Sequence, residues 1–280
     1  MYIGDTRRKR LGKTFNYIFL SFIAFICVVP ILWLVYTSFK PRILTFASPP
    51  VWVKFQPTLE NYRRVIQEKN LIKPLLNSIV IVTISTVVTV TVGSFASYIF
   101  SRFKRGWIRP TLFAVLTTNM IPPAVILLPL FLFARKLNLY DTHSMMIIVY
   151  VAYNLAFVIW MLRSFFLEIP KEIEESALID GCSRLGVLFR IVLPLSAPAI
   201  AATAILAFIF SWNEFIIALV LTSRNAFTLP ILATGLISAK GILWGEIAAT
   251  STFITIPEVI FIFFAQKHIV RGLTMGAVKG

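Results

Sequence analysis

Six long runs without a charged side chain constrain this chain more than any other feature. No Asp, Glu, Lys or Arg occurs in Thr14–Phe39, Pro74–Ser101, Pro110–Ala134, Ser144–Leu162 or Ile191–Asn213, and the last of these continues past Glu214 to Ser223. A sixth run, Ile247–Gln266, is interrupted only by Glu258. A helix rises 1.5 Å per residue, so about 20 apolar residues cross the roughly 30 Å of bilayer hydrocarbon. Inside that layer every backbone N–H and C=O must find its partner within the protein, which selects helices for runs of this length. The sequence therefore predicts an all-α integral membrane protein with six transmembrane helices, at about 14–39, 76–101, 110–134, 144–163, 196–221 and 244–266. They form a single transmembrane domain over 1–280.

Composition agrees. The 280 residues are 58% hydrophobic and 14% charged, with a mean hydropathy of +0.84, whereas a soluble domain carries about 25% charged residues. A formal charge of +15 would suit nucleic acid. On a chain of apolar spans it reads instead as basic loops retained in the cytoplasm, with no nucleic-acid partner. With both termini inside, the inner segments hold 16 of the 27 Lys and Arg residues, and seven of the outer eleven lie in Lys40–Lys73. Two cysteines make no framework of disulfides, and neither has zinc-ligand spacing around it. Asn225–Ala239 contains Pro230 and Gly235 and is short for a crossing, so it is expected as an interfacial or re-entrant segment on the outer side. Arg7–Arg10 precede the first run as in a signal peptide, but that run far exceeds the roughly 7–15 residues of such a segment.

The inner loop over 168–190 carries the most information. Pro170 suits the start of a helix, and Glu172, Glu174 and Glu175 suit its positive end. Gly181 suits the left-handed residue just past it, and Ser183 can cap a second short helix running through Arg190. The expected element is a helix–turn–helix on the cytoplasmic face, with Ile191-Val192-Leu193-Pro194 entering the membrane.

Glu175-Ser176-Ala177, then Gly181, Ile191, Leu193 and Pro194, keep the spacing E-A-A-x3-G-x9-I-x-L-P. The sequence in this respect resembles binding-protein-dependent ABC transporter permeases, with Ser176 standing where the motif has Ala. Thr58-Leu59-Glu60-Asn61-Tyr62, Asn77-Ser78, Trp212-Asn213-Glu214-Phe215 and the tail Gly272–Gly280 are similar to the carbohydrate-uptake, maltose-type branch. The resemblance implies a multi-pass subunit of a bacterial or archaeal cell membrane. It would pair with a second, distinct permease, dock a dimer of ATPase subunits, and receive a carbohydrate from an extracytoplasmic binding protein. The 168–190 loop would be the coupling helix: Glu175 would anchor it to the ATPase, Ser176, Ala177 and Gly181 would permit close approach, and Ile191, Leu193 and Pro194 would fix it against the bundle. ATP and Mg would be bound by the ATPase, with no cofactor in this chain. Consistent with that division, the one spacing like a phosphate-binding loop, Gly181 to Gly186, continues Val187-Leu188 instead of Lys-Ser/Thr.

Carboxylates inside spans are costly and are functional candidates by default. Counting from the span ends places Glu214 outward and Glu258 inward, at different depths, so no shared-proton dyad is expected. Asn213, Glu214 and Glu258 are the candidates for the translocation path. The alternative function is a proton-coupled secondary carrier using Glu214 and Glu258, although no internal repeat of the kind such carriers show is visible. An intramembrane enzyme would need paired acids or a metal site, and neither occurs at suitable spacing. His143 and His268 are expected at membrane edges, and no catalysis is expected of Cys27 or Cys182.

Overall fold

The computed structural model describes the backbone of 3–275 apart from 46, 49, 50, 53, 239 and 240, and the side chains of 13–266 apart from those and 238, 264 and 265. His268, the side chains of Arg7–Arg10 and the tail motif beyond residue 275 lie outside the described residues. In order, the helices are α1 (Ile3–Ser38), α2 (Arg42–Thr45), α3 (Glu60–Gln67), α4 (Ile72–Arg102), α5 (Ile108–Thr118), α6 (Pro123–Lys136) and α7 (His143–Glu168). After them come α8 (Lys171–Ile179), α9 (Arg184–Val187), a π turn (Leu188–Val192), α10 (Leu193–Leu195), α11 (Ala197–Trp212), α12 (Ile216–Leu221) and α13 (Leu229–Thr234). A two-residue hairpin, β1 (Ile237–Ser238) with β2 (Gly241–Ile242), precedes the last helix, α14 (Trp244–Met275). The chain forms two compact units, Met1–Asn70 with Ala233–Phe253, and Leu71–Leu232 with Ile254–Gly280.

In the first unit, Asn61 is the buried fastener. Its Nδ2 donates to the carbonyls of Ser38 and Lys40, both at 2.8 Å, closing the C-terminal end of α1. The Ser38 hydroxyl lies 2.6 Å from that of Tyr62, and Gly245 lies so close that a Cβ there would sit 2.6 Å from the Asn61 side chain. The Thr58–Tyr62 motif thus has a structural role. Lys40, counted above as a loop charge, is buried: its Nζ lies over the rings of Trp33, Tyr36 and Phe55 and donates to the Val51 carbonyl at 2.8 Å.

The second unit is built on α4 and α7. Ser85, Thr89, Gly93, Ser97 and Ser101 recur at every fourth position and so line one face of α4. Small residues at this spacing let two membrane helices approach closely. A Cβ on Gly93 would lie 2.5 Å from Val158 Cγ1, and the Ser97 hydroxyl reaches the Ile159 carbonyl at 3.1 Å. The two helices run in the same direction, since Asn77 meets His143 near their starts and Arg102 meets Ile169 near their ends. Helix α11 runs opposite to α7, pairing Asn154 with Ser211 and Tyr150 with Glu214, and α14 runs opposite to α11, pairing Trp212 with Ile254 and Phe208 with Phe261.

Four helices are each long and apolar enough to cross a membrane, and the count rises to six if two bent pairs are each taken as one span. The directions favour six, because two parallel crossings need an odd number of crossings between them, and only α5 and α6 lie between α4 and α7. Neither reaches 30 Å alone, with 11 and 14 residues at 1.5 Å each. The third span, expected as one continuous helix, is bent by 93°. Pro122 and Pro123 account for this: a residue before proline is pushed out of helical geometry, while Pro123 suits the first turn of a new helix. The segment Arg184–Leu195 meets α11 at 78°, and the fifth span breaks again at 213–215. The expected second short helix does not end at Arg190. It passes through the π turn into α10.

Candidate functional site: a helical loop and an intramembrane cavity

The loop after α7 forms much as its residues dictate. Pro170 takes the position just before α8 (φ −55°, ψ 135°), one residue earlier than a first-turn proline. At the other end Gly181 adopts φ +87°. Its N–H donates to Leu178 O at 3.1 Å, and the Cys182 N–H donates to Ala177 O at 3.0 Å, the paired bonds of a Schellman ending. Ser183 Oγ then accepts from the Gly186 N–H at 3.1 Å and caps α9.

Of the three acids in α8, which the sequence places alike at the positive end of the helix, the structure buries Glu174. Its carboxylate meets Arg102 Nη2 at 2.6 Å and accepts from the Tyr98 hydroxyl at 3.1 Å, while Arg102 also donates to Ile169 O at 3.1 Å. Glu175 and Ser176 are exposed, and the Ser176 hydroxyl turns back to Ile173 O at 3.0 Å. Ala177, Leu178, Ile191 and Leu193 pack against the core of Tyr98, Leu162, Phe166, Leu188 and Val192. Pro194 is exposed at the start of α10. The motif residues therefore divide into an inner set held by the core and an outer set. Around Gly181, among the described residues and apart from its chain neighbours, nothing lies within 4 Å of where a Cβ would be. Ile179 and Leu185, large and apolar, are 85% and 62% exposed.

The second feature is an open cavity of about 660 Å³ where two helix breaks meet. The turn between α5 and α6 supplies Asn119 and Pro123, and the break after α11 supplies Asn213, Glu214 and Phe215. From α7 come Tyr153, Asn154 and Phe157, and Phe210 of α11 meets Phe157 edge-to-face at 5.0 Å. Glu214 explains the break in the fifth span. Its carboxylate accepts from the N–H groups of Ile217 at 2.8 Å and Ala218 at 3.1 Å, so it caps α12 instead of continuing α11. Asn154 donates to Ser211 Oγ at 2.9 Å and Tyr150 O at 3.0 Å.

The expected separation in depth of the two acids is not found. Asn213 Nδ2 donates to Glu258 Oε1 at 2.5 Å, which sets Glu258 level with the residue beside Glu214. The expected span of 244–266 puts the membrane edge at Trp244, but α14 has 32 residues, about 48 Å, which is more than a crossing requires. The Trp212 indole donates to Ile254 O at 3.0 Å, in the turn that Pro257 disturbs. Among the described residues no group of three or more His, Cys, Asp or Glu is placed to hold a metal ion.

At the opposite end of α4 and α7 from α8, Asp141 gathers four N–H groups, those of Ser223, Arg224, Asn225 and Ala226, at 2.9–3.1 Å. Burial pushes its carboxyl up, but these donors together outweigh that and hold it below the ordinary value. Asn77 donates to the carbonyls of Asn225 and Phe227 and lies 2.8 Å from His143 Nε2; Ser78 Oγ accepts from the Leu229 N–H at 2.8 Å. The Asn77-Ser78 pair thus holds the segment expected at the interface, which proves to be a pinned loop and the six-residue helix α13.

The chain belongs to the family described as binding-protein-dependent transport system inner membrane component, whose model matches residues 89–275. It is a multi-pass membrane protein, as the resemblance carried by Glu175–Pro194 implied. It is similar to the trehalose/maltose transport system permease protein of Thermococcus litoralis, 41% identical over 262 residues and covering 92% of this chain and 93% of that one. The sulfoquinovosyl glycerol transport system permease protein of Agrobacterium fabrum is 33% identical over 270 residues, covering 96% and 95%. In fold the chain is similar to a subunit in the crystal structure of a bacterial alginate ABC transporter in complex with an alginate pentasaccharide-bound periplasmic protein. The TM-score is 0.69 at 15% identity, over 93% of this chain and 94% of that one.

Proposed function

We propose that this chain is the transmembrane permease subunit of an ATP-driven ABC importer and forms half of the translocation path for a carbohydrate. The observation that carries the reading is the two-sided 168–190 loop. One side is bolted to the bundle by Arg102–Glu174 and an apolar core; the other presents Glu175, Gly181 and bare Ile179 and Leu185 outward. Apolar side chains this exposed on a well-anchored polar segment mark a protein contact. In this reading α8 is the coupling helix and its partner is a dimer of separate ATPase subunits, which bind ATP and Mg; this chain holds no cofactor. A second, distinct permease completes the path within the surrounding lipid, and an extracytoplasmic binding protein delivers the substrate. Both termini are cytoplasmic. The relatives named for trehalose/maltose and sulfoquinovosyl glycerol support the carbohydrate.

The cavity supports the same reading. Non-helical backbone at membrane depth is tolerated only where it is buried in protein or lines a water-filled space, and two such breaks open onto this one. A proton-coupled carrier using Glu214 and Glu258 has less support, because Glu214 caps a helix and Glu258 is bonded to Asn213.

Reconstitution with the partners tests the coupling role. Gly181→Val forces a side chain into positive φ, at about 1–2 kcal/mol, and blocks close docking. Glu175→Ala removes an exposed charge from a helix that Ala favours. Both variants should reach the membrane normally and lose substrate-stimulated ATPase activity and uptake, Glu175→Ala less severely. Parental transport by both, at equal abundance, would mean the loop only connects two helices. Reporters fused after Arg105 and after Ser183 should read as cytoplasmic, and one within Pro49–Tyr62 as extracytoplasmic.

A further inference from the structure

The cavity between the two helix breaks offers an anion no cation to pair with. Among its lining residues there is no Lys, Arg or His, and the one carboxylate is that of Glu214. Helix N-termini are the other receptor for negative charge inside a membrane, and transporters with broken helices use them so. Two helices begin at this cavity, and neither presents it with an open set of N–H groups, since Ala124 of α6 is not a lining residue. At α12 the N–H groups of Ile217 and Ala218 are held by the Glu214 carboxylate, so the protein's own anion fills that position. At α6 the chain opens with Pro122 and Pro123, which carry no N–H, and the Val125 N–H is bonded to Pro122 O at 3.0 Å. Glu258, tied to Asn213, adds a second acid behind the lining.

What the cavity does offer is neutral. Asn119 is an exposed amide with both donors and an acceptor, Asn213 offers its Oδ1 because its Nδ2 is held by Ile209 O and Glu258, and Tyr153 and Phe210 present rings that are 39% and 45% exposed. Amides match hydroxyl groups in either direction, and ring faces match the C–H faces of a pyranose. The volume lies within the roughly 300–1,000 Å³ of small-molecule sites. We infer that this cavity takes an uncharged, hydroxyl-rich ligand, a neutral sugar or polyol unit, and discriminates against sugars carrying carboxylate, sulfonate or phosphate. The inference rests on the reading of the cavity as part of the translocation path, and it makes Glu214 a specificity-determining residue, which excludes anions by the negative charge it places on the lining.

Saturation-transfer NMR on the assembled transporter in lipid nanodiscs, without binding protein, tests this with two disaccharides of equal size, trehalose and a uronic-acid disaccharide. Trehalose should receive magnetisation and the uronate should bind at least about tenfold more weakly, as expected for a charge brought uncompensated into a membrane interior. Tyr153→Ala should abolish the trehalose signal. Two variants should gain the uronate: Glu214→Ala, which removes the acid from the lining, and Asn119→Arg, which adds a guanidinium without removing any described side-chain bond and so guards against misfolding of the first. If the uronate binds as tightly as trehalose and Tyr153→Ala abolishes both, the cavity is a sugar site and the selection against charge is wrong. If neither sugar binds, or Tyr153→Ala changes nothing, the cavity is not on the path and both readings fall. Failure of both Glu214→Ala and Asn119→Arg to gain the uronate would also overturn the selection.

Discussion

Arg102 and Glu174 meet at 2.6 Å with side chains only 6% and 7% exposed, and this one pair joins the last turn of α4 to the first turn of α8. Removing one member of a buried pair strands the other, at a cost of about 3–5 kcal/mol. Glu174→Ala and Arg102→Ala should therefore lower the melting temperature of the detergent-solubilised protein and speed hydrogen exchange over 169–183. Its neighbour Glu175 is exposed, and Glu175→Ala should change stability by no more than about 0.5 kcal/mol. Equal effects at the two positions would refute this division between a buried anchor and an exposed face.

Gly93 lets α4 lie close against α7. A methyl group there would sit 2.5 Å from Val158 Cγ1, on a side chain that is fully buried and branched. Gly93→Ala should destabilise by about 1–3 kcal/mol through overpacking. Val158→Ala should recover part of that loss in the double variant, as a thermal double-mutant cycle would reveal; strict additivity would place the contact elsewhere.

The Asp141 clasp has a defined pH dependence. A carboxyl held below its ordinary value stabilises the fold at every pH above that value and releases the stabilisation as pH falls through its lowered one. Protection of the 223–226 amides, corrected for intrinsic exchange, should thus be constant from neutral pH down to the ordinary 3.8 and fall only below it. Asp141→Asn should lose that protection at neutral pH, since one amide oxygen cannot replace two carboxylate oxygens shared among four donors. Loss of protection in the parent near pH 6 would contradict the assignment.

Gly245→Ala should act at a distance in sequence. The new methyl would push on Asn61, which holds the Ser38 and Lys40 carbonyls. Faster exchange at the C-terminal end of α1 is the expected result, and Gly245→Ala with Asn61→Ala should be no worse than Asn61→Ala alone.

Much of this was legible in the residues. Uncharged runs announced the spans, a glycine after nine helical residues announced the left-handed turn at Gly181, and a serine two positions on announced the α9 cap. Adjacent acids were not separable. Glu174 and Glu175 differ by about 100° around a helix, and only the position of Arg102, some 70 residues earlier in the chain, determines which faces inward. The cavity was half visible. Asn213 and Glu214 stood out as polar groups in a span, whereas Tyr153, Phe157 and Phe210 look like any residues of an apolar helix until a bent neighbour opens space beside them. The bend at Pro122-Pro123 has a sequence cause, but the break at Glu214 depends on a side chain choosing the next turn's amides over solvent.

The π turn at Leu188–Val192 makes chain length itself a mechanical variable. Such a turn holds one residue more than an α-helix spends on the same path. Losing any one of these five residues would let the segment close into regular helix, which would swing α8 and α9 by about 100° about the local helix axis. Glu175 and Gly181 would keep their identities, local hydrogen bonds and exposure, yet face a different direction. Between relatives of this protein, a one-residue gap here is therefore a rotation of the loop, and sequences that differ in length at this point are not interchangeable parts even when every motif residue is retained.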